Sequence, residues 1–432
     1  MKTKILIVLL ILAVGLAAYA GGGSQGSSSG GTKSAGKPVV KISLDKDNYS
    51  TSLEAVLNVA AAKLGFELQM EIGVGGSEGS NMFKTQLATG DVPDIFLYNT
   101  GSLFHVLNPE QNMVDLTDEP WMARVTDSFK IAASSKGRVY AVPFGSTTVG
   151  AWLYNKRIYR ELGLQVPHTW KDLLSNLDKI QAAGKTALIG AYKDTWTSQL
   201  IVLADEYNVK AALPNYPADY TANKVKIATT PAALRSFEKL WETRKYLNKD
   251  MLATTYDQGA EMLATGQGAH WPMTTMALNT IQVNYPEYIN DIGVFGQPGD
   301  DPNNHGLTVW ISHGWYIYKN SPHVELCKKI LEFYISQEGI DIYSSKIKPE
   351  GPYSVKGIKL PADSYPAVLE MQPYFDAGKT APALEFESPL KGPNLEQICV
   401  EVGTGITEPR AAAATYDADV QKQAIQLNLP GW

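Results

Sequence analysis

Between Val39 and Tyr98 the sequence switches period four times, and that alternation limits the fold more than any other feature. Val39, Val40, Ile42 and Leu44 predict a short strand, followed by the polar loop Asp45-Lys46-Asp47-Asn48-Tyr49-Ser50. A Ser/Thr cap then opens a helix whose apolar stripe, Leu53, Val56, Leu57, Ala60 and Leu64, recurs at spacings of three and four. Gly65 stops it, and Phe66, Leu68, Met70 and Ile72 alternate as a second strand. A Gly-rich turn leads to a helix around residues 81–88, ended by Gly90, and Ile95-Phe96-Leu97-Tyr98 is a third strand after Pro93. Strand, helix, strand, helix, strand predicts a parallel α/β sheet.

The rest of the chain is more helical. Thr169 caps a helix through Trp170, Leu173, Leu174, Leu177 and Ile180. Thr230-Pro231 opens another, Ser321-Pro322 a third after the strand 315–318, and Pro409 the last. Trp170 and Trp241 fall on apolar helix faces and read as core. The 432 residues correspond to roughly two to three domain-sized units of ~150 residues.

The first twenty residues read as an export signal, with Lys2 and Lys4, an apolar run from Ile5 to Leu12, and Ala18-Tyr19-Ala20 as a small-x-small cleavage site. In residues 21–37, twelve of seventeen are Gly or Ser, a flexible tether. Leu16-Ala17-Ala18 is followed by Tyr19 instead of the Cys that bacterial lipoproteins acylate, which argues against a lipid anchor. The expected location is therefore periplasmic or at the cell surface. A net charge of −6 without a basic block argues against nucleic acid as partner. Cys327 and Cys399 read as small buried hydrophobes, although an exported protein permits a bridge between them.

Signatures of catalysis are missing. No Gly-x-Ser-x-Gly elbow, His-Glu-x-x-His helix or phosphate-cradling Gly-x-x-x-x-Gly-Lys occurs. A glycosidase needs two opposed carboxyls, and the adjacent acids, Asp300-Asp301 and Glu385/Glu387, lie in loops without a recognisable acid/base setting. The expectation is a protein that is no enzyme and needs neither metal nor cofactor.

Four groups of segments, in order, resemble the sugar-binding (family 1) extracellular solute-binding proteins of bacterial ABC transporters. They are Lys84 to Ile95; Gly137 to Pro143 with Tyr154-Asn155-Lys156, Glu161 to Leu164 and Pro167 to Trp170; Glu261-Met262 with Gly266 and Trp271; and Ile311 to Ser321. The resemblance spans most of residues 40–430. It implies a two-lobed periplasmic-binding-protein-like α/β fold, with a parallel-rich sheet in each lobe and a ligand cleft between them. Lobe 1 would hold 38–148 plus about 300–360, and lobe 2 about 149–299 plus 361–432. It also implies capture of a small solute, expected to be a carbohydrate, by a monomer that closes about a hinge and docks on a membrane permease. A secreted glycoside hydrolase or a carbohydrate-adhesion module is the alternative.

Sugars need fixed hydrogen-bond partners for hydroxyls and flat rings for their C–H faces. Tyr98 ends the third strand, at the carboxyl edge where open α/β sheets bind ligands, and an aromatic there lines the cleft in the resembling receptors. Asp47, Asn48 and Tyr49 occupy the loop at the same edge, where they also suit a turn. Trp271 matches the family Trp that floors the cleft. Trp196 and Tyr192 lie in a polar loop before an apolar helix, open to either core or cleft. Thr148, with Thr147, sits where the chain crosses between lobes, and Trp310 and His313 lie on the returning segment. His270 reads as a surface residue beside Trp271.

Overall fold

The computed structural model describes residues 36–46 and 48–432, without the side chains of residues 76 and 77. The export signal, nearly all of the tether, and Asp47 lie outside the described residues.

The alternation over 39–98 becomes the first half of one sheet. Strand β1 (Val39–Asp45) pairs in parallel with β2 (Glu67–Gly73) and β3 (Ile95–Asn99). The helix Thr51–Leu64 makes the first crossover; Ser50 accepts the Leu53 N–H as its cap, and Gly65, at φ 75°, ends it in the left-handed region that costs a side chain most. A small ribbon, β4 (Ser134–Ser135) with β5 (Arg138–Val139), precedes β6 (Ala141–Pro143).

The second sheet is built on β7 (Thr148–Asn155), β8 (Thr186–Leu188), β9 (Gly268–Thr274), β10 (Ile292–Phe295) and β11 (Leu307–Trp310). The chain then returns to the first sheet as β12 (His313–Ile317), and β13 (Thr380–Pro382) completes the second. The strand orders are β2-β1-β3-β12-β6 and β13-β11-β7-β9-β8, with β10 also paired to β7.

Both sheets are mixed where the resemblance implies parallel-rich ones. Strand β12 runs antiparallel to β3 and β6, and β7 runs antiparallel to β9, β10 and β11. The reason is the connectivity: a strand that re-enters a sheet from the other lobe arrives from the far end. Segment 300–310 also differs from expectation, because β11 belongs to the second sheet and the return crossing comes only after Trp310.

Among the described residues the chain crosses between sheets three times: from Pro143 to Thr148, from Trp310 to His313, and over residues 345–365. The third runs from helix Gln337–Ser344, packed on Thr51–Leu64, to helix Pro366–Asp376, packed on β10. Isolated bridges Ser146↔Tyr353 and Val125↔Val355 bind it to its neighbours.

The predicted helices form. Thr169 and Asp172 close a capping box on Trp170–Ala182, and Pro231–Thr243 and Pro409–Gln426 start on their prolines. Trp170 is 1% exposed, whereas Trp241 is only half-buried under the Arg244 guanidinium. Cys327 and Cys399 are free and buried, and burial pushes the Cys327 thiol up to about 12. They lie in separate hydrophobic clusters: that of Cys327 takes in residues of both sheets, and that of Cys399 packs on the alternate residues of the second sheet, such as Trp152 and Tyr154.

Candidate functional site

The carboxyl ends of β1 and β3 and the start of β12 meet at one edge of the first sheet. His313 stands opposite Asn99, one step beyond Tyr98. The Tyr98 hydroxyl lies 2.5 Å from the Ser80 hydroxyl and its ring tilts against Phe83, while burial raises its pKa. In the β1 turn the Asp45 carboxylate accepts from the Asn48 backbone and from its amide, at 3.0 and 2.9 Å. Tyr49 is exposed and donates to Glu54 at 2.7 Å. His313 is half-buried; burial lowers its pKa, with Asp45 opposing. Phe144, on the first crossing, meets His313 and Tyr343 edge-on at 6.3 and 6.4 Å. These groups share one edge because the strands that carry them end there.

On the second-lobe side the order of the rings differs from expectation. Trp196 is half-buried and its ring lies 5.5 Å from Tyr256, which in turn lies 5.3 Å from Trp271. Trp271 itself is only 1% exposed, on a strand every residue of which is buried. Gly259 packs so closely that a Cβ there would come within 2.8 Å of the Trp271 ring. Trp271 is therefore core, one layer behind Tyr256, and the half-buried rings on this side are Trp196 and Tyr256. A seven-residue strand buried on both faces has no exposed position to offer, and that burial was not visible locally.

Three further expectations are corrected in the same way. Tyr192 is buried against Gly403, inside the second lobe. Trp310 is buried between Gly150 and Phe386. His270, read as a surface residue, is fully buried; its Nε2 lies 2.7 Å from the Tyr159 hydroxyl and its Nδ1 2.9 Å from the Ala187 carbonyl oxygen, and burial lowers its pKa to about 4. Thr148 is half-buried where β7 starts, while Thr147 is buried and shares a 2.6 Å hydrogen bond with Ser354.

The lobe boundaries expected from the sequence imply a third crossing near residue 360, but no site residue was expected on it. Gly351 sits so near the Thr147 carbonyl that a Cβ there would approach it to 2.0 Å, and the Thr147 N–H donates to Pro352 at 2.7 Å. Glu350, just before this contact, takes the Ser146 hydroxyl as acceptor for its own N–H at 2.9 Å. Its carboxylate accepts from the Asn279 amide of the second lobe at 2.6 Å, and Tyr365 donates to the same Asn279 at 3.2 Å. Glu350 is near enough to Tyr256, Tyr343 and Tyr365 that, after burial itself, its charge adds to the rise in their pKa values. Burial raises the Glu350 carboxyl to about 7. The available signal was a lone acid beside Gly-Pro in the Lys-rich run 346–359.

The arrangement offers hydrogen-bonding groups and aromatic faces from both lobes around the crossings. Among the described residues no group of three or more His, Cys, Asp or Glu is placed to hold a metal ion.

Comparison with known proteins agrees with this architecture. A multiple sugar-binding protein of Streptococcus mutans is 23% identical over 294 residues, covering 65% of this chain and 67% of that one. The melibiose/raffinose/stachyose-binding protein MelE of Bacillus subtilis is 22% identical over 342 residues, covering 74% and 76%. The structure of the solute-binding protein RafE in complex with raffinose superposes with a TM-score of 0.72 at 20% identity, over 89% of this chain and 99% of that one. The family model for bacterial extracellular solute-binding proteins matches residues 68–340, well over half of the sequence. The chain belongs to the bacterial extracellular solute-binding protein family.

Proposed function

We propose that the protein captures a carbohydrate outside the cytoplasm by closing its two lobes, and delivers it to an ABC permease without chemical turnover. The observation that carries this reading is the seam at the crossings. There Glu350, on the third crossing, adjoins Tyr343 of the first lobe and Tyr256 and Asn279 of the second, Trp196 lies beside Tyr256, and Phe144 on the first crossing meets both His313 and Tyr343. Rings supply flat faces for sugar C–H groups, and amides, hydroxyls and a carboxylate supply directional partners. Relatives named for multiple sugars, melibiose, raffinose and stachyose support the substrate class. Hinge bending of two lobes is the motion by which periplasmic binding proteins close, and closure excludes water from these contacts. The first lobe comprises the sheet of β1, β2, β3, β6 and β12, and the second the sheet of β7 to β11 and β13.

A thermal-shift screen of residues 38–432 against raffinose, stachyose, melibiose and chitin oligosaccharides tests the reading. A sugar at 100 times its Kd adds about 2.7 kcal/mol of stability, several degrees in Tm. Flat curves with every sugar would rule out the carbohydrate assignment, and product from an oligosaccharide would rule out simple capture.

A further inference from the structure

Glu350 combines three properties that no other acid described above shares. It lies on a segment joining the lobes, it is flanked by rings of both lobes, and its carboxylate is held by an amide instead of a cation. Tyr343 comes from the first-lobe helix Gln337–Ser344, and Tyr256 from the second-lobe helix Tyr256–Thr265. Among the described residues, Asn279 is the side-chain donor that reaches it. An ionised carboxylate accepts about four hydrogen bonds, so one amide leaves most of its capacity unused.

The surrounding groups do not neutralise it. The titratable side chains that face it are the phenols of Tyr256, Tyr343 and Tyr365, from three different segments. Lys348, two residues away on the same segment, is tied to Asp363 at 3.0 Å and lies over the Tyr365 ring. The burial that carries the carboxyl to about 7 therefore acts on a group with no cation of its own.

Resting on the carbohydrate reading, we infer that the Glu350 carboxylate is the acceptor for solute hydroxyls at the centre of the cleft, so that capture is coupled to release of a proton. Hydroxyl donors favour the ionised form, and hydrogen bonds to a charged acceptor are about twice as strong as neutral ones. When the free protein holds Glu350 partly protonated, binding expels that proton to the buffer. The solute is then selected as a hydroxyl-rich donor. Asn279 and Tyr365 are positioning residues: they fix the carboxylate plane and leave its remaining lone pairs to the ligand.

The experiment is calorimetric titration with raffinose, or with whichever sugar the thermal screen selects, from pH 5.5 to 8 and in two buffers of different ionisation enthalpy. If only the ionised form binds, affinity falls about 30-fold from pH 8 to pH 5.5, and the apparent enthalpy near pH 6.5 depends on the buffer. Glu350→Gln retains an acceptor for Asn279; it should bind about tenfold more weakly at pH 8, with affinity flat across the range and no buffer dependence. The proton count on the unaltered protein remains decisive if the variant folds poorly. Sugar binding with no proton release and the same pH profile in both proteins would overturn the inference alone. A protein that binds no sugar at any pH would overturn the carbohydrate reading first, and this inference with it.

Discussion

Two carboxylates, the buried Asp205 in the second lobe and the half-buried Glu350 at the crossing, are treated in opposite ways. Asp205 and Lys239 have side chains 1% exposed and meet at 2.5 Å. Asn208 also donates to Asp205, and Lys239 reaches the Pro298 carbonyl oxygen, so both charges are fully served within the protein. Glu350 has the Asn279 amide and a ring of phenols but no cation. A buried charge is costly unless it is paired, so a paired one reads as architecture and an unpaired one as a site held ready for a partner.

Breaking the pair gives the largest expected effect. Lys239→Met should leave Asp205 buried and uncompensated, at a cost of about 3–5 kcal/mol in urea unfolding. A loss under 1 kcal/mol would mean that the pair is not structural. Trp271→Ala should cost a similar ~3–5 kcal/mol, because it removes a fully buried ring. A variant that is stable but blind to sugar would return Trp271 to the cleft.

The pH dependence of the unliganded protein comes next. The Glu350 pKa is raised from 4.5 to about 7 on folding, so between these values the folded state binds more protons than the unfolded one. Stability is therefore lost as pH rises from about 4.5 through 7, by about 3 kcal/mol at most. Glu350→Gln should remove that decline and be the more stable protein at pH 8. Equal slopes in unfolding series from pH 5 to 8 would show that Glu350 has a compensating partner. The smallest effect is expected for Trp196→Ala, which should weaken sugar binding by about tenfold with little change in stability. A large loss of Tm without ligand would place Trp196 in the core instead.

The half-buried strip of Trp196 and Tyr256 shows how far the sequence reads. Trp271 and Trp196 are both Trp in short polar surroundings, and local spacing gave no reason to separate them. The separation comes from Tyr256 and Gly259, which another helix brings against the Trp271 ring. Tyr98 and Asn48 were legible as edge residues because a strand's end is a local property. Glu350 was not, because its neighbours Ser146, Asn279 and Tyr256 are remote in sequence and meet only where the third crossing packs on the first.

The sequence by itself determined the strand–helix alternation of the first lobe, the Thr169, Pro231 and Pro409 helix starts, and the family. Each rests on relations among residues a few positions apart or on ordered motifs. Only the tertiary structure decided the direction of the returning strands, which rings are core, and whether Glu350 meets a cation. Burial and charge pairing depend on what long-range packing brings within a few ångströms, and the local pattern carries no record of those partners.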